Sequence, residues 1–317
     1  MKRFVKRIMI FITSIIIPII VSGIIFLLFL APQYEYCYNA SLLDKIARLK
    51  DCPSPKIVLI GNSNLAYGII SEKIENEFGI PVVNLGLHGS LGNAFHENIA
   101  KPYINNGDII IVCHSTYKDD GKISDPKLAW ITFENHFFLY NIADKKDYIN
   151  LTKAFPSYLV KGMWLFISQQ GNTKPQDSYS RICFNKYGDN VFPREYDSTL
   201  IPANQHCPII PKINDVCINR LNHFNKFCQE RGATLLIGGY PILKPIEGDV
   251  DSNYFIEFQQ QLQDTLNCTI ISDFTDYIFD ETLFYNTNLH LTNEGAAIRT
   301  EQLIKDLKKY FTHKLPK

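Results

Sequence analysis

The stretch KIVLIGNSNLAYGI, Lys56 to Ile69, decides the fold. Lys56 to Ile60 reads as a buried strand, and the chain then breaks into Gly61-Asn62-Ser63-Asn64. Downstream, Ser71 is placed to cap a helix carrying Ile74 and Phe78 on one face and stopping at Gly79. Pro81 to Leu85 is the next strand. Two buried strands joined by a helix form a βαβ unit, which requires a parallel sheet and a right-handed crossover.

The alternation continues with a helix around Asn93 to Asn105, the strand Asp108 to Cys113 (DIIIVC), then Ala233 to Ile237 (ATLLI) and Thr269 to Ser272 (TIIS). A last helix starts near Thr292, with Leu303, Ile304, Leu307 and Phe311 on its apolar side. These elements predict an α/β fold: a flavodoxin-like, doubly wound, parallel five-stranded sheet. About 115 residues between the third and fourth strands, roughly 117–231, do not alternate cleanly. An excursion this long predicts a helical insertion over the edge of the sheet that holds the site. Within it, Tyr158 to Ser168 (YLVKGMWLFIS) is amphipathic; it reads as core packing, with a membrane-facing role as the alternative.

The N-terminus is distinct. Lys2, Arg3, Lys6 and Arg7 precede an uncharged, strongly apolar run. Residues 8–31 are long enough to cross a hydrocarbon core of about 30 Å, and longer than the apolar stretch of about 7 to 15 residues in a cleaved leader. The expectation is a cytoplasmic N-terminus (1–7), a transmembrane signal anchor (8–31), a stalk with a short helix at Ser41 to Lys50 (32–55), and a globular domain (56–317) outside the cytoplasm, periplasmic or extracellular. Cleavage near Ala31 is the alternative.

With 32 basic and 32 acidic side chains in 317 residues, the chain carries no net charge and no basic stripe, which argues against nucleic acid as a partner. Neither G-x-G-x-x-G nor G-x-x-x-x-G-K-[ST] occurs, so a nucleotide site is not expected. Eight cysteines show no zinc spacing; no metal or other cofactor is expected. Cys113 and Cys268 read as small buried hydrophobes, and Cys183, Cys207 and Cys217 as disulfide candidates. Asn39, Asn150 and Asn267 each head a glycosylation triplet.

In an open parallel sheet, ligands collect at the carboxyl ends of the strands. Ser63 is delivered there, although a serine at this point equally suits capping of the next segment. The second strand runs into Asn84-Leu-Gly86-Leu-His-Gly89-Ser-Leu-Gly92, whose glycines allow a backbone N–H to approach a ligand, or simply make a loop. Asn288-Leu-His290-Leu-Thr292 sets a histidine just before the last helix, where it can accept the Ser63 proton.

Taken in order, these blocks resemble the SGNH/GDSL hydrolase superfamily over roughly residues 56–116 and 232–311. The resemblance implies Ser63 as nucleophile, His290 as base, and backbone N–H groups of Ser63 and Gly89 as oxyanion donors. Two departures stand out. The family's third block offers an asparagine to the oxyanion, whereas this chain has His114-Ser115-Thr116-Tyr117, so a hydroxyl of Ser115 or Thr116 would substitute. The family's acid three residues before the histidine is Thr287 here. The ring must then be oriented by Asn286, Thr287, Asn288 or a backbone carbonyl, by Glu294, or by Asp273, Asp276 or Asp280.

The implied function is serine-dependent ester hydrolysis or acyl transfer on a small-molecule or glycan ester, such as an O-acetyl group of a cell-envelope glycan. The alternative is a catalytically impaired protein on the same fold that binds glycan or serves a membrane acyltransferase partner.

Overall fold

The computed structural model describes residues 2–29, 32–117, 120–134, 136–245 and 253–314. Ala31, where a cleaved leader would end, and the last three residues of the basic tail lie outside the described residues. In chain order the elements are α1 (Lys2–Phe29), α2 (Ser41–Asp51), β1 (Ile57–Ile60), α3 (Ser63–Ala66), α4 (Ser71–Phe78), β2 (Val82–Asn84), α5 (Asn93–Ala100), β3 (Ile109–Val112), α6 (Pro126–Phe133) and α7 (Tyr148–Ile167). There follow α8 (Asp215–Glu230), β4 (Thr234–Ile237), β5 (Ile242–Leu243), α9 (Tyr254–Thr265), β6 (Thr269–Ile270), β7 (Ile278–Phe279), β8 (Phe284–Thr287), β9 (His290–Leu291) and α10 (Asn293–Lys314).

Five strands form one all-parallel sheet in the order β2-β1-β3-β4-β6. Strand β1 is buried at all four positions, which is why it reads as a continuous apolar run. Its side chains alternate between two cores. Val58 and Ile60 pack with Ile46 and Leu49 of α2, Phe95 and Ile99 of α5, Leu221 of α8 and Phe258 of α9. Ile57 and Leu59 face Leu65 of α3, Ile74 of α4, and Leu303 and Leu307 of α10. Helices therefore cover both faces, and each fully buried aliphatic chain contributes about 1.5–3 kcal/mol. Because β2 and β3 flank β1 on opposite sides, the crevice beyond the carboxyl ends of β1 and β3 is the topological switch point of the sheet.

Helix α1 is long and apolar enough to cross a membrane over Lys2–Gly23. The segment after it, expected as a stalk with a short helix, holds that helix as α2 and is packed on the domain. The backbone N–H groups of Gln33 and Tyr34 donate to the Glu134 carboxylate at 2.7 and 2.8 Å, and Arg181 N donates to the Tyr36 carbonyl at 2.9 Å. Helix α2 buries Leu42, Ile46 and Leu49, and its Lys45 amine reaches the carbonyls of Asn84 and Gly188. Burial pushes that lysine down to about 7. Amphipathic residues were available for packing, and the adjoining insertion supplies the partners.

The insertion differs from expectation at its end. Tyr117 bridges Ile213, and Asn214 N donates to the Tyr117 carbonyl at 3.0 Å, so the excursion closes at about residue 214 rather than 231. Helix α8 is the ordinary crossover helix of the sheet: Cys217, Leu221 and Phe224 on its inner side are buried in the main core. Helix α7 also departs from the core-packing expectation. Between Tyr158 and Ser168 only Tyr158 and Gly162 are buried, while Val160, Met163, Trp164, Phe166 and Ile167 are exposed. The eight cysteines are free thiols: Cys217 is buried in α8, Cys207 is exposed and Cys183 is half-buried.

Candidate active site

Gly61 lets the chain leave β1, since a Cβ there would lie 2.9 Å from the Cys113 carbonyl at the end of β3. Asn62 then adopts extended backbone, and its Oδ1 accepts from Asn64 N at 3.0 Å, which makes Asn62 rather than Ser63 the cap of α3. Its Nδ2 donates to the buried Ser115 Oγ at 2.8 Å. Asn64 is fastened in turn by its donation to the Cys113 carbonyl and by Arg299 of α10, which donates to the Asn64 carbonyl and Oδ1 at 2.6 and 2.9 Å. Ser63 is thus held between two immobilised asparagines with its side chain free for other work. Ser71 is not a cap either: its Oγ and N–H both donate to Asp189 of the insertion, which also holds Asn84 at the end of β2.

The hairpin β8–β9 brings His290 to Ser63, 227 residues away in sequence, with Oγ and Nε2 2.7 Å apart. On the other side of the ring, Nδ1 lies 2.8 Å from Asn286 Oδ1. A carbonyl oxygen only accepts, so Nδ1 carries the hydrogen and the Nε2 lone pair faces the Ser63 hydroxyl. Asn286 Nδ2 donates to Tyr179 Oη at 3.2 Å, which keeps the amide in that orientation.

Of the other two candidate orienters, the Thr287 hydroxyl accepts from the backbone N–H of Leu289 and His290, shaping the hairpin. Asn288 Nδ2 donates to the Cys207 carbonyl. The candidate acids are engaged elsewhere: Asp273 with Thr275, Asp276 with Gln302 and Asp280 with Lys244, while Glu294 faces solvent. Ring orientation is therefore by a neutral amide.

His290 is buried, and its ring stacks on Tyr67 at 4.0 Å between centroids and 10° between planes. Arg194 lies over Tyr67 at 5.1 Å, and among the described residues its guanidinium donates to the carbonyl oxygens of Leu291, Asn190, Phe192 and Tyr67 and to the Asn190 amide oxygen. Burial first, then the charges of Arg194 and His88, push the imidazole down to about 3. At neutral pH the ring is an uncharged acceptor whose cation is costly to form.

The switch-point edge holds the remaining candidates. Gly89 is exposed and lies beside Asn62: a Cβ added to it would be 3.5 Å from Asn62 Cβ. Among the described residues, the N–H groups of Ser63 and Gly89 donate to no protein acceptor, so both are available to an oxygen of a bound ligand. At the end of β3 it is Ser115 that is tied to Asn62, whereas Thr116 gives its carbonyl to Asn93 Nδ2 at 3.1 Å. Among the described residues no group of three or more His, Cys, Asp and Glu is placed to hold a metal ion.

Sequence reasoning missed three residues here: Tyr67, Tyr179 and Arg194. Tyr67 had a signal, lying one helical turn beyond Ser63. Tyr179 and Arg194 come from the insertion and carry none. Among known proteins, no family model and no curated sequence matches this chain.

Proposed function

We propose that the protein is a membrane-anchored, SGNH-like serine esterase or acyltransferase whose main domain lies outside the cytoplasm. The observation that carries the reading is the relay Ser63 Oγ–His290 Nε2–His290 Nδ1–Asn286 Oδ1, with links of 2.7 and 2.8 Å, at the switch point of a parallel sheet. The membrane placement rests on the apolar helix Lys2–Gly23 and on the four basic residues before Ile8, which favour a cytoplasmic N-terminus.

In the proposed reaction, the Ser63 oxygen attacks the acyl carbon as its proton passes to His290 Nε2. The N–H groups of Ser63 and Gly89 receive the oxyanion, each such donor lowering the barrier by about 3–4 kcal/mol. Collapse of the tetrahedral intermediate breaks the ester C–O bond, and His290 returns its proton to the departing alcohol. Water or a sugar hydroxyl then gives a proton to His290 and attacks the acyl-serine; collapse of this second intermediate breaks the bond between the acyl carbon and Ser63 Oγ, His290 returns the proton to Ser63, and the acid or a new ester leaves. The glycan ester as substrate follows from the resemblance in the sequence and the anchor, not from a sugar-binding feature.

A second reading, a binding or accessory protein, is favoured by two observations: among the described residues no carboxylate stands behind His290, and Arg194 opposes its protonation. One experiment separates the two. Detergent-solubilised full-length protein is treated with a fluorophosphonate probe and digested for mass spectrometry. An adduct on Ser63, absent from Ser63→Ala and slowed in His290→Gln, is the expected result. Absence of any adduct on Ser63, when a control serine esterase is fully labelled, overturns the catalytic reading and leaves the accessory one.

A further inference from the structure

Helix α7 presents an apolar face that no side chain among the described residues covers. Along its second half Val160, Trp164 and Ile167 are 67, 55 and 75 % exposed, and Met163 is exposed beside them. Lys153 and Lys161 are its only charged side chains, so the helix is purely basic. A soluble surface of this kind is unusual; an apolar face on a basic helix is the pattern of helices that lie in a membrane interface.

Three observations say what covers it. Leu159 of α7 packs against Gly23 of α1, the helix able to cross a membrane, so the exposed face continues the apolar surface of the span. The contact also lies toward the outer end of α1: Gly23 is six residues, about 9 Å at 1.5 Å per residue, before the end of that helix at Phe29. There is also no spacer. Gln33, four residues beyond Phe29, is already bonded to Glu134 next to α6, and Tyr34 packs on Tyr158 of α7 at 6.4 Å between ring centroids. Four residues reach at most about 14 Å, so the domain cannot stand away from the bilayer.

We infer that α7 is a second membrane-contacting element: its Val160–Ile167 face is embedded in the outer interfacial layer of the bilayer beside α1, with Lys153 and Lys161 extending to the headgroups. The inference goes beyond the proposed reaction and rests on α1 being the membrane span. It places the insertion, and through α6 the Ser90 turn that accepts from Ser124 N and Asp125 N, directly above the lipid surface. Substrate would then be met at the membrane and not in bulk solution.

The two tryptophans make the test direct, because Trp130 is only 9 % exposed and Trp164 stands on the exposed face. Full-length protein is reconstituted in vesicles of phosphatidylcholine with a minor share of phosphatidylglycerol, with and without phosphatidylcholine brominated near the top of the acyl chains. The expected result is that Trp164 emission, isolated in Trp130→Phe, falls to about half or less with brominated lipid, consistent with a shallow depth, and resists aqueous acrylamide. The complementary variant Trp164→Phe loses this quenched component, so the assignment stands even if replacing Trp130 weakens the fold. Trp164 open to acrylamide but not to brominated lipid, or shielded from both as in a contact with a second copy of the chain, overturns the inference. Release of the protein by alkaline carbonate overturns the membrane anchor of the proposed function, and with it the docking of α7; retention with an unquenched Trp164 overturns only the docking of α7.

Discussion

Asn286→Asp is the sharpest perturbation of the site. In the native protein Nδ1 of His290 meets a neutral oxygen at 2.8 Å, and the ring is held at about 3, some 3.5 pH units below its usual value of 6.5, which corresponds to about 5 kcal/mol against the imidazolium. A carboxylate in the same place would set its charge about 4 Å from the ring centre, worth about 4 kcal/mol at an effective dielectric constant of about 20. That is about three pH units, enough to bring the imidazole to about 6. Asn286 is half-buried and Tyr179 Oη can turn to donate to the new carboxylate, so the cost of carrying the charge is modest. If the transition state carries between half and all of the imidazolium charge, kcat/KM for p-nitrophenyl acetate rises between about 30- and 1,000-fold.

The pH profile supplies the second readout. In the proposed reaction the base works only when neutral, so the native profile is expected to stay flat on the acid side down to about pH 4, and the acid limb of the variant to move up to near pH 6. Folding sets the lower limit of such measurements. His290 titrates near 6.5 when unfolded and about 3 when folded, so its contribution to stability is complete above pH 6.5 and is lost as the pH falls toward 3. An unchanged rate together with an unmoved acid limb, in a variant that still melts cooperatively, would refute the assignment of Asn286 as the group behind the base.

Two further predictions concern the frame that holds the site. Gly92→Ala should lower stability by about 3 kcal/mol or more, because the residue has φ of +81° and a Cβ would fall 2.3 Å from the Gly121 and Lys122 carbonyls; Gly89→Ala, with ordinary contacts at 3.5 Å, should leave the melting temperature nearly unchanged, and equal losses in the two would contradict this reading of the turn. Arg299→Met should cost about 3–5 kcal/mol in denaturant unfolding, since it strips the donors from the Asn64 and Gly239 carbonyls in a fully buried place, and a loss below about 1 kcal/mol would show that Arg299 does not secure the Ser63 turn.

By itself the sequence determined the parallel sheet, the exit of Ser63 from β1, the return of His290 before the last helix and the apolar span. These are local signals: four apolar residues buried on both faces, a glycine where the strand must turn, a helix stop at Gly79, and an apolar run as long as a bilayer is thick. What stands behind His290 could not be read, because Asn286, Thr287 and Asn288 differ only in where a hairpin with shifted register points each side chain. The Arg194–Tyr67–His290 stack and the Tyr179 contact join residues more than a hundred positions apart in sequence, from an insertion with no periodic pattern. The packed segment after α1 and the bare face of α7 were likewise decided in three dimensions. An amphipathic helix fits a core or a bilayer equally well, and only the position of its neighbours settles which surface is left uncovered.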